Sequence, residues 1–115
     1  MLARKDFMLN LAWVIIIEGI FLYAYAQVMA QLELKIFIDA PEYLRIKRRV
    51  IRNTSTRGYT VDDVLYRLEY QVEPAHTLFV EPFKHEADLI IPNKYNFNRG
   101  LEVLENHILQ VCKKF

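Results

Sequence analysis

Apolar residues along this chain follow two rhythms. Three short runs are continuous at their centres: Leu11 to Ile17, Leu34 to Asp39 around Ile36-Phe37-Ile38, and Ala87 to Pro92 around Leu89-Ile90-Ile91. Each run is rich in β-branched residues, and each is closed by a polar residue or a breaker, namely Glu18-Gly19, Asp39 and Pro92. Runs of this length and composition predict strands covered on both faces. The stretches between them repeat at helical spacing. Tyr23 to Leu32 predicts one helix, and Pro41, favoured in a first turn, opens the next. Thr60-Val61-Asp62-Asp63 offers a capping hydroxyl with an acid three residues on, so a third helix starts there, with Val64, Leu65 and Leu68 on its buried side. That helix should bend or break before Pro74. Pro74 to Lys84 reads as partly helical with a second interruption at Pro82, Asn93 to Asn98 as a polar loop, and Gly100 to Lys114 as an amphipathic helix with Leu101, Leu104, Ile108 and Val111 inward. Strands alternating with helices predict an α/β domain around a parallel sheet of three strands.

Composition narrows the picture. At 115 residues and 53% hydrophobic content, the chain is one domain at most and can build a core. A formal charge of +1 argues against a general nucleic-acid binder, which would be basic overall. The single cysteine, Cys112, excludes an internal disulfide and a cysteine-based zinc site, which makes a reduced, cytoplasmic setting the default. Leu11 to Ala30 is long and apolar enough to need a membrane check. Glu18 near its middle, with Gly19 and Gln27, favours a buried segment over a spanning one.

One local feature stands out against the neutral background. Six of the fifteen cationic side chains lie between Arg45 and Arg57, and Gly58 follows as a natural helix stop. Arg45, Arg48, Arg49 and Arg52 share one side of a helix. A row of guanidiniums suits phosphate groups, because each planar fork meets two oxygens; the same spacing also describes a solvated helix face. Glu18, at the end of the first run, stands where a magnesium-holding carboxylate belongs in phosphate-transferring proteins of the P-loop class, with Asp39 at the end of the second run as its neighbour. An acid after a strand is also a common turn residue.

The rest of such a site is missing. The pattern G-x-x-x-x-G-K-[ST] does not occur, and Gly19, Gly58 and Gly100 are about forty residues apart. His76, His85 and His107 are scattered over predicted helices as surface or boundary residues, and no nucleophile elbow or His-Glu-x-x-His pair exists. Tyr59, Tyr66 and Tyr70 read as packing residues rather than a stacking platform.

Several of these segments, taken in order, carry a resemblance. Val14-Ile15-Ile16-Ile17-Glu18-Gly19-Ile20, Lys35-Ile36-Phe37-Ile38-Asp39, Arg48-Arg49-x-x-Arg52 with Arg57-Gly58, Val72-x-Pro74, Phe79-Val80-x-Pro82 and Ala87-Asp88-Leu89-Ile90-Ile91-Pro92 together resemble the C-terminal half of the uridine/cytidine kinase family, from about Trp13 to Ile108. The resemblance divides the chain into residues 1–11, unrelated to the family, and residues 12–115, the C-terminal part of a nucleoside kinase-like α/β domain. It implies a partial P-loop kinase-type parallel sheet with flanking helices and an arginine-bearing lid helix.

It also implies roles. Glu18 resembles the magnesium acid. Arg49 matches an arginine that contacts the nucleoside, and Arg52 and Arg57 match lid arginines on the ATP phosphates, with a catalytic part. Tyr59 and Arg67 stand at substrate-binding positions where well-known uridine kinases carry an arginine and a glutamine, and Asn53 replaces an acid that many relatives have. The implied activity is ATP- and Mg2+-dependent phosphorylation of uridine or cytidine to the 5′-monophosphate in pyrimidine salvage. The family's phosphate loop and catalytic base are absent, so the expectation is a truncated chain that is inactive alone. In the family's sheet an absent strand lies between those ending at Glu18 and Asp39, so a homo-oligomer or a complementing chain is expected, with nucleoside and ATP as ligands of the completed site and neither nucleic acid nor membrane as partner. A non-enzymatic module binding a phosphorylated ligand or an acidic partner remains the alternative.

Overall fold

A computed structural model describes residues 14–113. They form an α/β arrangement with a two-stranded parallel sheet and flanking helices. A 3₁₀ turn at Leu22–Ala24 and the single-turn α1 (Ala26–Met29) precede β1 (Ile36–Asp39). Then come α2 (Glu42–Ser55) and α3 (Val61–Arg67). A π-helical segment, Leu68–Val72, leads into α4 (Glu73–Phe79). A 3₁₀ helix at Glu81–Glu86, β2 (Leu89–Pro92) and α5 (Asn98–Cys112) complete the order. β1 and β2 run parallel in the register Phe37 to Ile90 and Ile38 to Ile91, so each pair shares a face.

Only two of the three expected strands form among the described residues. Leu11 to Trp13 of the first expected strand lie outside the described residues, and Val14 to Glu18 have no regular structure. Ile16 is 73% exposed. The reason is that an extended segment becomes a strand only when a neighbour satisfies its backbone groups. Lys35 and Asp39 turn their carbonyls to Leu89 and Asn93 of the β2 side, and no described segment pairs with the opposite edge of β1. The expected helix from Tyr23 to Leu32 also shrinks to the short turn and α1. Among the described residues no helix is long and apolar enough to cross a membrane.

Both faces of the sheet receive some cover. Tyr23 packs edge-on against Phe37, with ring centroids 6.0 Å apart. On the opposite face α5 lies against the buried Ile91, close enough that a Cβ on Gly100 would sit 2.7 Å from the Ile91 Cγ2. The clash is with a branched side chain that is 2% exposed. Gly100→Ala should therefore destabilise the fold by about 1–2 kcal/mol despite alanine's higher helix propensity, read as a lower urea midpoint; a rise in midpoint would contradict this packing. Leu101, Leu104, Ile108 and Val111 are half-buried in α5, as expected, together with Gly100 and Cys112.

Local chemistry explains the limits of α2. Pro41 stands just before its first turn. At the other end Thr54, Ser55 and Thr56 each send a hydroxyl back to the carbonyl four residues earlier, competing with the helical ladder. Gly58 then adopts φ 73°, the left-handed conformation that glycine tolerates, and Tyr59 N–H returns to the Asn53 carbonyl at 3.0 Å.

Thr60 caps α3 as expected, its hydroxyl accepting from Asp63 N–H at 3.2 Å. The expected bend before Pro74 takes a specific form. Pro74 has no N–H for the Tyr70 carbonyl and its ring crowds that carbonyl. The chain answers with a π turn, in which Glu73 N–H donates to the Leu68 carbonyl five residues back. Val64 and Leu68 fill the inner side, both fully or almost fully buried, whereas Leu65, expected inside, is 47% exposed. Tyr66 and Tyr70 are likewise exposed, packed on each other at 4.8 Å rather than into a core.

Candidate functional site

The arginine side of α2 faces the π segment and α4 across a cleft of about 550 Å³. Its floor is apolar, with Ile20, Phe21, Leu68 and Val72, and its rim carries Arg45, Arg48, Arg49 and Arg52. Leu68, Gln71, Val72, Ala75 and His76 line the cleft from the π segment and α4.

The row does not act as a unit. Arg45 forms an ion pair with Glu73 at 3.1 Å, in a half-buried setting that ties α2 to α4. Arg48 donates from Nη1 to the Asn93 carbonyl and from Nη2 to the Lys94 carbonyl, both at 3.0 Å. Among the described residues Arg49, Arg52 and Arg57 make no ion pair. Burial, then the nearby Arg52 and Arg57, push the Arg49 pKa below its ordinary value, with Glu73 opposing. Arginine stays charged at neutral pH all the same. Three guanidiniums are thus held together against their mutual repulsion, and an anion placed among them would relieve it.

The other candidates fall into two groups. Tyr59 and Arg67 meet: the Arg67 guanidinium lies 4.7 Å from the Tyr59 ring centroid, a cation–π contact across the start of α3. Glu18 stands apart. It is exposed in the irregular segment, not at a strand end, and among the described residues no group of three or more His, Cys, Asp or Glu side chains could hold a metal. These residues do not by themselves fit a magnesium ion. Asp39 does close a strand, but Lys84 pairs with it at 2.9 Å, and that hydrogen bond raises the Lys84 pKa above its ordinary value.

His76 was read as a boundary residue, and it is one, in the wall shared by the arginine cleft and a second cleft of about 490 Å³ beyond the strand ends. Burial first, then Arg45, lower its pKa below 6.5, while Glu73, Glu81 and Asp39 pull it up. The folded state therefore binds this proton less readily than the unfolded chain, so the associated stability is present above pH 6.5 and is lost as pH falls through the folded pKa. Thermal melts between about pH 7.5 and pH 5 should show a shallower acid loss for His76→Gln than for the native chain; equal slopes would refute the assignment. Glu73 and the carbonyl partners of Arg48 were not foreseeable from local pattern, because they lie 28, 45 and 46 residues from their arginines.

The α/β frame thus carries clustered arginines over an apolar cleft, chemistry that favours an anionic group. The sequence matches the Phosphoribulokinase / Uridine kinase family over residues 2–98, and the chain belongs to that family. The matched span includes most of residues 1–11, which the resemblance had set apart. Among curated proteins, the chain is similar to a uridine kinase of Clostridium novyi, 34% identical over 101 residues that cover 88% of this chain and 49% of that protein. A uridine kinase of Staphylococcus epidermidis is 35% identical over the same length, and one of Bacillus pumilus is 40% identical over 79 residues, 69% of this chain and 38% of that protein. The chain spans about half the length of the curated relatives it matches.

Proposed function

We propose that this chain supplies the phosphate-closing arginine face of a uridine kinase-type, ATP-dependent phosphotransferase acting on uridine or cytidine in pyrimidine salvage. Arg52 and Arg57 would meet the ATP phosphates, and Arg49 the nucleoside. Tyr59 and Arg67, joined by their cation–π contact, would border the nucleoside as one unit. The observation that carries the reading is the pair Arg49 and Arg52 on an apolar cleft, with Arg57 close enough to act on Arg49, within a chain of this family. Phosphoryl transfer needs charge neutralisation and positioning more than covalent help, which is what mobile, clustered guanidiniums provide. ATP and Mg2+ enter as family expectations, with Glu18 as the candidate magnesium acid only in a completed site.

The 115 residues contain no G-x-x-x-x-G-K-[ST] sequence, so the phosphate cradle must come from other residues. The chain would therefore be associated with a second copy or with a complementing chain and inactive alone, and its single cysteine fits a cytoplasmic setting. Calorimetry with ATP, UMP and inorganic tripolyphosphate, together with an ATP–uridine turnover assay, tests it. Expected are ATP binding stronger than tripolyphosphate binding, and no turnover by the chain alone. Turnover by the chain alone would sink the claim of incompetence. Salt-sensitive binding of all polyanions without nucleotide preference would instead favour a non-enzymatic phosphate- or partner-binding module.

A further inference from the structure

Although Arg48 borders the cleft, its guanidinium is spent on protein carbonyls. Its two terminal nitrogens meet the carbonyls of consecutive residues, Asn93 and Lys94, each at 3.0 Å. Asn93 is anchored on its other side too, since its N–H donates to the Asp39 carbonyl at the end of β1 at 2.6 Å. One peptide segment thus joins the carboxyl ends of both strands to α2. One turn earlier, Arg45 fastens the same helix to Glu73 of α4. Arg49 lies next to Arg48 in sequence and Arg52 one turn beyond it, so whatever fixes the rotation and height of α2 fixes where those guanidiniums hang over the cleft.

We infer that Arg48 is a positioning residue: its fork registers the arginine helix on the loop that follows β2 and so sets the geometry of Arg49 and Arg52 without itself binding phosphate. This rests on the proposed phosphate-closing role of those two arginines. The chemistry calls for arginine, because a planar fork reaches two adjacent carbonyls at once whereas a lysine ammonium offers a single point of charge. A residue that bound phosphate directly would behave otherwise, as lysine would keep much of the attraction and alanine would reduce the dependence of binding on salt.

The experiment titrates inorganic tripolyphosphate into the 115-residue chain and its Arg48→Ala, Arg48→Lys and Arg52→Ala variants at several salt concentrations, and follows hydrogen exchange at the Asn93 amide, which is bonded to the Asp39 carbonyl. Both Arg48 variants should weaken binding similarly, by roughly five- to tenfold, while keeping the native salt dependence. Arg52→Ala should flatten that dependence. Exchange at the Asn93 amide should quicken in both Arg48 variants and stay native in Arg52→Ala. Recovery of native affinity by Arg48→Lys, or a flattened salt dependence in Arg48→Ala, would overturn the proposal by making Arg48 an anion ligand; native affinity in Arg48→Ala would overturn it by making the clasp idle. If the native chain fails to bind tripolyphosphate, the phosphate-closing reading falls, and the clasp stands or falls on the exchange measurement alone: unchanged exchange refutes it, faster exchange upholds it.

Discussion

Arg52→Ala is expected to cost the chain about ten- to hundredfold in affinity for ATP, the loss that follows from removing one or two charge-assisted hydrogen bonds to phosphate. Arg45 and Arg48 are committed to Glu73 and to the loop after β2, whereas Arg52 reaches the cleft with only a long contact, 3.4 Å, from its Nε to the neighbouring Asn53 side chain. That contact is weak enough to exchange for a phosphate oxygen. The loss should shrink as salt rises, and calorimetry at two ionic strengths would show it. If ATP affinity is unchanged in Arg52→Ala while Arg45→Ala weakens it, the division of the row into clasps and ligands is reversed.

Leu68→Ala should produce the largest loss of stability. Leu68 is 4% exposed, and its carbonyl receives the π-turn hydrogen bond from Glu73 N–H. Truncating a buried leucine removes its transfer free energy and leaves a cavity, about 2–5 kcal/mol in sum. Here the buried hydrophobic set among the described residues is only Met29, Phe37, Val64, Leu68 and Ile91, so little else can compensate. A small domain holds about 5–15 kcal/mol in total, and this one should lose its cooperative urea transition or shift it far toward zero denaturant. Leu65→Ala, at a neighbouring but 47% exposed position, is the control and should move the midpoint little. Equal effects at the two positions would mean that the described core is not the one that holds the chain.

The contrast between Leu65 and Leu68 also shows where reading from sequence stops. Helical spacing put both on the inner side of α3, but a seven-residue helix has a narrow buried stripe, and Val64 and Leu68 fill it. Tyr66 and Tyr70 were displaced outward for the same reason. Local signals fared better because they act through bonds within a few residues. The Thr60 cap, the proline before α2, the left-handed Gly58 and the disturbance ahead of Pro74 were all legible, and the last is a π turn because the proline cannot serve the Tyr70 carbonyl.

The strand expected from Leu11 to Ile17 failed on its described part for a different reason. Its apolar, β-branched composition is real, yet a strand is a relation between two segments, and Val14 to Ile17 have no partner among the described residues. Glu18 therefore lost the strand end that would have aimed it at a ligand. The arginines illustrate the same limit in the opposite direction: their clustering and even their stop at Gly58 stand in the sequence, but which of them are free does not.

By itself, then, the sequence determined the family, the α/β alternation, the arginine-bearing helix with its two ends, and the absence of a glycine-rich phosphate loop, since each depends on residue identity at short range or in fixed order. Tertiary structure alone decided that Arg45 and Arg48 are fasteners, that Tyr59 and Arg67 meet, that Lys84 neutralises Asp39, and that His76 stands between two clefts. Most of those contacts join residues dozens of positions apart, and charge and hydrogen-bond partners are chosen by proximity in space, which no periodicity along the chain encodes.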